Sequence, residues 1–334
     1  MQSLFFDIAQ PSLATWSQAS SNDRDTHGGK KRRVQDCHCH WAGSGINFCF
    51  AKLLLGKGCN VVIADLALRP EAQELISKYS DSSNGAKAVF LKTDVTEWAQ
   101  LQKTFEIATE QFGGADIVCP GAGVFEPPFS NFWNPPDTPP SVDKTSESRY
   151  KLLDINITHP IRATQMAIEH FMKRKKPGTV IHISSTAGQI AFFPTPMYVA
   201  SKHAISGFVR ALAQLEFPAS DIPKVRISAV APGLIKTPLW TENPEKMAFL
   251  PKDNPHWVTP EYVAEAMLEL IESEKYPGGT ILEVGKVKRK VEAFNDSGPP
   301  RESTAVTLVP REVLEADIWA SMERQYRSET NPSL

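Results

Sequence analysis

The sequence has no long apolar run and no marked excess of charge of either sign. A membrane-spanning helix needs about 18 consecutive apolar residues, and the chain has no such stretch, so none is predicted. Lys and Arg number 36 against 38 Asp and Glu; the net charge of −2 predicts no nucleic-acid partner. Residues 1–18 lack a basic segment and a long apolar segment, so we predict no secretory signal.

Cysteine is also scarce. The five cysteines are odd in number, and some lie in apolar runs, a pattern typical of reduced thiols rather than of a disulfide framework. They are Cys37, Cys39, Cys49, Cys59 and Cys119. We therefore expect a cytoplasmic protein.

The pattern of the chain predicts three parts. Residues 1–33 are polar, follow no hydrophobic period and end in a basic run, so we predict a disordered arm with a solvated charge cluster. Residues 34–292 are predicted to form one domain. Residues 293–334 are a polar tail whose apolar residues recur at helical spacing after residue 312, which predicts a short helix.

Four side chains of metal-ligand type stand together at residues 37–40, Cys-His-Cys-His. They could hold a metal ion. Alternate side chains of an extended segment point to opposite faces, however, and no second ligand pair occurs elsewhere to complete a site. We predict no metal.

From residue 43 onward, apolar runs alternate with segments of helical period. Strands are predicted over residues 60–64, 88–91, 116–119, 180–183, 225–230 and 280–284. Helices are predicted over residues 46–55, 71–79, 97–112, 147–174, 198–216 and 259–273. This alternation is typical of an α/β fold with a doubly wound, Rossmann-like parallel sheet.

Gly43, Ser44 and Gly45 open the first of these helices, at Ile46. Asp65 ends the next strand, twenty residues after Gly45, which is the spacing between a phosphate-binding turn and the acid that binds an adenosine ribose. A carboxylate accepts hydrogen bonds from the ribose hydroxyls and repels a 2′-phosphate, so Asp65 favours NAD over NADP. Alternatively, Asp65 only caps the turn after its strand.

A second glycine turn, Gly121-Ala122-Gly123, follows the third strand and indicates a close approach of backbone to another group. The Pro- and aromatic-rich loop after it, to about residue 142, is too long for a plain connection. Residues 234–257, rich in Pro and large apolar side chains, are interpreted as a lid.

The strongest chemical signal lies between residues 183 and 202. Tyr198 and Lys202 are four residues apart and share one face of a predicted helix. Ser185 stands thirteen residues before Tyr198, directly after a buried strand. The three side chains can converge at the carboxyl end of a strand, where open α/β sheets bind ligands. Asn156, inside the predicted helix 147–174, either is incidental or bonds a backbone kink.

These motifs together resemble the short-chain dehydrogenase/reductase family, and within it the NAD-dependent hydroxyprostaglandin dehydrogenase-like members. The resemblance covers residues 43–285 and rests on Gly43-Ser44-Gly45, Asp65, Asp94-Val95, Gly121-Ala122-Gly123, Asn156, Ser185, Tyr198, Lys202, Pro232-Gly233 and Thr237.

The resemblance implies a catalytic set of four residues. Tyr198 is expected to be the acid/base, and Ser185 to orient the substrate oxygen. Lys202 is expected to tune the pKa of Tyr198 and to bind the nicotinamide ribose. Asn156 is expected to hold a kink and a water that relays protons to Lys202.

The resemblance also implies the residues that bind NAD. The first turn, with Ile46, is expected to hold the pyrophosphate, Asp65 the adenine ribose, and Asp94 and Val95 the adenine. Gly121, Ala122 and Gly123 are expected to pass beside the ribose. Ile235 and Thr237 would hold the nicotinamide carboxamide and phosphate, with Pro232 and Gly233 in the same part of the site.

Two features depart from the family pattern. Trp41 and Asn47 stand where the first and last glycines of the turn are usual, and the segment before it is too polar for a central strand. Pro120-Gly121 replaces the usual Asn-Asn. These departures leave an alternative open: a non-catalytic relative with impaired cofactor binding that acts as a binding or scaffold protein.

The predicted function is hydride transfer between NAD and a hydrophobic secondary alcohol or ketone. The partner is thus a small molecule, and the family resemblance implies a homodimer or homotetramer paired through its two long helices. Large apolar side chains in the two loop segments and in the segment after Ser185 are expected to line the substrate pocket: Trp133, Phe192, Phe193, Trp240 and Met247. Alternatively, each of them only packs its loop onto the core.

Overall fold

The computed structural model describes residues 43–292, except 82, 84, 244, 245 and 247–256, together with 316, 319, 320, 322–324, 326 and 327. The chain divides into two units, residues 33–291 and residues 1–32 with 292–334. The described residues between 316 and 327 are helical. The predicted arm, residues 37–40 and the segment expected to form the first strand lie outside the described residues, and the predicted domain boundaries stay predictions.

The strands of the larger unit form a pair and a five-stranded sheet. Strands β1 and β2 pair in parallel, and β3, β4, β5 and β6 follow one another in parallel in the second sheet. Their bounds are β1 Val61–Asp65, β2 Ala88–Lys92, β3 Ile117–Val118, β4 Gly178–Ile183, β5 Val225–Pro232 and β6 Ile281–Val284. The predicted Rossmann-like α/β fold is confirmed. An antiparallel edge strand, β7 Lys288–Lys290, was not predicted, because its three basic residues carry no apolar alternation.

The helices begin and end where the local residue types favour it. Their bounds are α1 Gly45–Gly56, α2 Pro70–Lys78, α3 Trp98–Phe112, α4 Lys151–Leu153, α5 His159–Arg174, α6 Pro196–Ala211, α7 Pro238–Thr241 and α8 Pro260–Glu272. Proline opens α2, α6 and α8, where its missing N–H leaves no bond unmade. Gly113, with φ 77°, ends α3 in the left-handed conformation.

The prediction of one α-helix over residues 147–174 is wrong. Helix α4 starts only at Lys151, and a π-helical turn over Asp154–Thr158 separates it from α5. Pro160 gives a physical reason, because it has no N–H to donate and its ring clashes with the carbonyl four residues earlier. The predicted helix 198–216 begins at Pro196 and ends as an α-helix at Ala211, followed by a 3₁₀ turn over Ala213–Glu216.

Alternate residues of β4 show that helices cover both faces of the sheet. Ile181 belongs to the apolar core that contains Phe50 of α1 and Met267 of α8. His182 points to the other face, where its Nε2 lies 3.0 Å from the hydroxyl of Thr164 in α5. Strand β4 is therefore buried on both sides, as a central strand of a doubly wound sheet requires.

Because α5 packs closely against β4, adding one methyl group at Gly178 should strongly reduce the stability of the fold. A Cβ at Gly178 would lie 2.3 Å from the ring of Phe171, which is fully buried. We expect Gly178→Ala to lower the free energy of unfolding by about 1–3 kcal/mol, the usual range for overpacking. Gly207→Ala is the matched control, since no atom lies within 4 Å of a Cβ there and alanine in α6 should stabilise by up to about 1 kcal/mol. Urea denaturation of both variants tests this, and equal midpoints would contradict it.

In the part of the chain that the structure describes, no helix combines the length and apolarity needed to cross a bilayer.

Candidate active site

The start of helix α1 lies beside both parts of the sheet. A Cβ at Gly43 would lie 2.3 Å from Oδ2 of Asp65, at the end of β1. The thiol of Cys119, just beyond β3, donates to Oδ1 of Asn47 at 3.5 Å. The α1 N-terminus thus lies at the carboxyl end of one strand from each sheet, and ligands of open α/β sheets bind outside such strand ends.

A cleft opens from the α1 N-terminus along the carboxyl ends of β4 and β5. Most of the residues predicted for the site line it: Ser44, Gly45, Ile46, Gly121, Gly123, Ser185, Tyr198, Lys202, Pro232, Gly233, Ile235 and Thr237. Gly43 precedes the lining residue Ser44 and lies against Asp65, and Asn156 bonds the lining residue Val124. The structure thus brings together two distant motifs, the glycine turn and the Ser-Tyr-Lys set.

The N-terminus of α1 has the character of an anion site. Gly45 adopts φ 58°, and a Cβ there would lie 3.5 Å from the Thr237 side chain. The N-cap residue Ser44 makes no side-chain capping bond, and the first turn of the helix carries no acidic residue. The positive end of the helix therefore faces the cleft without an acidic residue of its own first turn to offset it.

Asp65 is held against the glycine turn. Its carboxylate accepts a hydrogen bond from the backbone N–H of Leu66 at 2.7 Å, and the N–H groups of Gly43 and Ala67 also donate to it. Burial raises the pKa of Asp65, and these donors oppose the rise. Nearby, both terminal nitrogens of Arg69 donate to Glu242, at 2.7 and 2.6 Å. That ion pair joins the loop after Asp65 to the segment that follows α7.

Five residues predicted to bind cofactor are not part of the cleft lining: Gly43, Asp65, Asp94, Val95 and Ala122. Asp94 instead accepts hydrogen bonds from the N–H and hydroxyl of Thr96, at 2.9 and 2.7 Å. Burial acts to raise the pKa of Asp94, but these bonds and the cation of Lys151 outweigh it and lower the pKa. The carboxylate is thus engaged in its own turn.

Ser185 and Tyr198 meet in the middle of the cleft. The Ser185 hydroxyl accepts from the N–H of Ala187 at 3.1 Å and hydrogen-bonds with the Tyr198 phenol. Burial raises the pKa of Tyr198, while the bond to Ser185 acts to lower it. The ring of Phe125 packs edge-on against the Tyr198 ring, with centroids 4.7 Å apart. The phenol is therefore fixed from two sides.

Lys202 lies below Tyr198, one helical turn further along α6. Its side chain is 6% exposed, and its Nζ donates to the carbonyl of Ile183 at 2.8 Å. The Nζ is 5.4 Å from the centroid of the Tyr198 ring. Burial lowers the pKa of Lys202 to about 8. At neutral pH the group remains mostly cationic, so it favours the phenolate form of its neighbour.

Asn156 lies in the π-helical turn, but its side chain holds the neighbouring loop rather than its own backbone. Its Oδ1 accepts from the N–H of Val124 and its Nδ2 donates to the carbonyl of Val124, both at 2.9 Å. Nδ2 also donates to the Ser201 hydroxyl at 3.2 Å. A Cβ at Gly123 would lie 3.4 Å from Asn156 Oδ1 and 3.7 Å from Lys202 Nζ, so the second glycine turn passes beside both.

Asn47, a departure from the glycine pattern, fits the site. A Cβ at Gly121 would lie 2.1 Å from its Nδ2, so glycine at 121 makes room for the amide. Trp41, the other departure, lies outside the described residues. The α1 turn therefore accommodates the residue that replaces its last glycine.

Sequence reasoning missed several parts of the site. Ser184 lines the cleft, and its hydroxyl joins the carbonyl of Lys202 (3.2 Å) to the Ser206 hydroxyl (2.8 Å). Lys202 and Ser206 are four residues apart and share one helix face. This spacing was an available signal that one side chain could contact both of them. Phe125 was missed because it lies in an irregular loop without periodicity.

The predicted aromatic pocket is only partly present. Trp240 lines the cleft and its ring centroid lies 5.1 Å from that of Phe125. Trp133 and Phe193 instead pack on each other at 4.9 Å, and Phe193 is 79% exposed. Neither belongs to the cleft lining. Met247 lies outside the described residues.

No group of three or more His, Cys, Asp or Glu side chains suited to hold a metal ion occurs among the described residues. The fold, by contrast, offers what a dinucleotide needs: an uncapped helix N-terminus, glycine turns without Cβ atoms, and a carboxylate at the end of β1. The residues present therefore fit such a cofactor.

Comparisons with known proteins agree with this geometry. The model of the short chain dehydrogenase family matches residues 42–248, so the chain belongs to this family. The chain is 27% identical over 282 residues to human 15-hydroxyprostaglandin dehydrogenase (NAD(+)), covering 83% of this chain and 86% of that protein. It is 30% identical over 207 residues to 3beta-hydroxysteroid dehydrogenase 1 of Eggerthella lenta, covering 62% and 72%.

Solved structures show the same fold at lower identity. The NADPH-dependent 3-quinuclidinone reductase of Rhodotorula rubra superposes with a TM-score of 0.61 at 20% identity, covering 78% of this chain and 96% of that one. A short-chain type dehydrogenase/reductase of Mycobacterium marinum gives 0.61 at 23% identity, covering 75% and 93%. The protein is thus an oxidoreductase enzyme of this family, with the resemblance to hydroxyprostaglandin dehydrogenases confirmed.

Proposed function

We propose that the enzyme transfers a hydride between NAD and a hydrophobic secondary alcohol or ketone. The observation that carries this proposal is the convergence of Ser185, Tyr198 and Lys202 in one cleft whose other end is the uncapped N-terminus of α1. A hydroxyl, a phenol and a cation in contact supply what alcohol oxidation needs: a hydrogen-bond donor for the oxygen and a base for its proton.

Each side chain then has one task. Tyr198 takes the hydroxyl proton during oxidation and returns it during reduction. Ser185 donates a hydrogen bond to the substrate oxygen, and Lys202 favours the phenolate through its positive charge. Asn156 fixes the turn at Val124, beside Lys202. Bound NAD supplies the hydride acceptor. The protein orients the reacting groups and supplies the electrostatic environment.

The cofactor would be held by residues from both motifs. The first turn (Gly43, Ser44, Gly45 and Ile46) suits the pyrophosphate, because backbone N–H groups and the helix dipole point at the cleft. Gly121 and Gly123 would pass beside the ribose of the nicotinamide half, and Pro232, Gly233, Ile235 and Thr237 would contact that half. Asp94 and Val95, which do not line the cleft, remain expected contacts of the adenine, and Ala122, also outside the lining, remains an expected neighbour of the ribose.

Asp65 should make the enzyme prefer NAD. A 2′-phosphate near its carboxylate would bring two negative charges together, which at about 4 Å costs several kcal/mol in a partly buried site. We expect NADH to bind at least about tenfold more tightly than NADPH, and Asp65→Ser to remove most of that difference. Fluorescence titration with both cofactors measures it. Asp81→Ser, which removes an exposed carboxylate, should leave the preference unchanged.

Two results would contradict the proposal. Preference for NADPH in the unaltered protein would refute the role of Asp65. Absence of NADH binding would instead favour the alternative, a non-catalytic relative that acts as a binding protein. A screen of secondary alcohols with NAD then identifies the substrate. Trp240, which lines the cleft and packs on Phe125, predicts that apolar alcohols are the best.

The proposal also includes the oligomeric state of the enzyme and its compartment in the cell. The two long helices α5 and α6 are the expected pairing surface of a homodimer or homotetramer. Cys49 and Cys119 are buried free thiols, which supports a reducing, cytoplasmic location.

A further inference from the structure

Glu126 is a buried carboxylate that sequence reasoning did not assign. It lies in the loop after the second glycine turn, is 4% exposed and adopts φ 37°. Its Oε2 accepts from the backbone N–H of Tyr198 at 2.9 Å, and its Oε1 accepts from the N–H of Phe132 at 3.2 Å. The N–H of Met197 donates to the same carboxylate.

These bonds complete the first turn of helix α6. Pro196 opens the helix without an N–H, and the N-cap residue Thr195 makes no side-chain capping bond. Val199 already donates to the carbonyl of Thr195 at 3.1 Å. The N–H groups of Met197 and Tyr198 are the remaining donors of that turn, and both bond to Glu126. The cap of the helix thus comes from a distant loop.

Three consecutive residues of that loop each hold a different part of the site. The backbone of Val124 is bonded by Asn156, and the Phe125 ring packs against the Tyr198 ring. Glu126 then fixes the Tyr198 backbone. The loop therefore links the helix that carries Asn156 with the helix that carries Tyr198.

The backbone conformation of Glu126 supports a specific role. A φ of 37° is unfavourable for a residue with a Cβ and persists only when the surroundings stabilise it. The carbonyl of Glu126 accepts from Asn131 at 3.0 Å, and its carboxylate makes the bonds described above. A plain turn would be served better by glycine, so the side chain is the reason for this residue.

We propose that Glu126 is a positioning residue: its carboxylate sets the place of the Tyr198 hydroxyl relative to Ser185. This inference rests on the proposed function, because it assumes that Tyr198 exchanges the proton. The test replaces Glu126 with glutamine, whose side chain has the same shape. Its amide oxygen can accept from one N–H, but its NH₂ group faces the other donor and loses that bond.

We expect Glu126→Gln to lower kcat by about tenfold to a hundredfold, as displacements near 1 Å do, with the Kd of NADH unchanged within about twofold. Thr259→Ala is the matched control, because Thr259 caps α8 by accepting from the N–H of Tyr262 at 3.3 Å, away from Tyr198. It should lower the melting temperature to a similar extent and leave kcat unchanged.

Amide hydrogen exchange of Met197 and Tyr198 provides a second readout that needs no turnover, and we expect faster exchange in Glu126→Gln. Unchanged exchange would overturn the inference even if the unaltered protein oxidised no alcohol. Failure of the proposed function would appear separately, as an inactive unaltered protein. Faster exchange with a kcat equal to that of the unaltered enzyme would also overturn the positioning role, as would an equal loss of kcat in Thr259→Ala.

Discussion

Replacing Tyr198 with phenylalanine should lower the turnover of a secondary alcohol by about 10²–10⁴-fold, the contribution that a positioned acid or base makes. The Kd of NADH should stay within about twofold, because the substitution removes one hydroxyl and keeps the ring. The edge-on contact with Phe125 and the position of the ring beside the Lys202 cation both survive. Steady-state kinetics and NADH titration measure the two quantities on one preparation.

A second tyrosine offers the control for this experiment. Tyr79, at the end of α2, is 9% exposed and packs in the apolar core away from the cleft, so Tyr79→Phe should keep turnover. Loss of turnover in both variants would indicate a general effect on folding. Turnover in Tyr198→Phe within about tenfold of the unaltered enzyme would refute Tyr198 as the acid/base.

The convergence of Ser185, Tyr198 and Lys202 in one cleft could be predicted because its signal is local. Tyr198 and Lys202 are one helical turn apart, and Ser185 follows a strand whose apolar run is continuous. Spacing and periodicity alone therefore predict that they meet. The same holds for the pair of Gly45 and Asp65, which a single strand–helix unit places together. Apart from the helices predicted over residues 147–174 and 198–216, the limits of helices and strands agree within two residues for the same reason.

Contacts across long sequence distances could not be predicted. Glu126 and Tyr198 are 72 residues apart, and Asn156 and Val124 are 32 apart. Neither pair has a period or a motif that links its members, because an irregular loop contributes one partner in each. The π-helical turn was missed for another reason: Pro160 was visible, but the apolar period continues through it.

Replacing Lys202 with methionine should abolish the assistance to Tyr198 and yet stabilise the folded protein at neutral pH. Burial lowers the pKa of Lys202 from 10.5 to about 8, so the folded state binds this proton less tightly than the unfolded chain. Below pH 8 both states carry the proton, and the difference corresponds to roughly 3 kcal/mol against folding. Methionine removes this penalty but leaves the carbonyl of Ile183 without its donor, at about 1 kcal/mol.

The sign of the effect gives the pH test. A depressed lysine pKa means that the unfolded state binds more protons between pH 8 and 10.5, so the stability of the unaltered protein rises with pH across that window. The advantage of Lys202→Met should therefore be about 2 kcal/mol at pH 7 and shrink to near zero by about pH 9.5. Urea denaturation at both pH values measures it. Lys52→Met, at an exposed position of α1, should change stability by less than about 0.5 kcal/mol at either pH. If Lys202→Met were more stable than the unaltered protein by the same amount at both pH values, packing rather than the buried charge would account for the difference in stability.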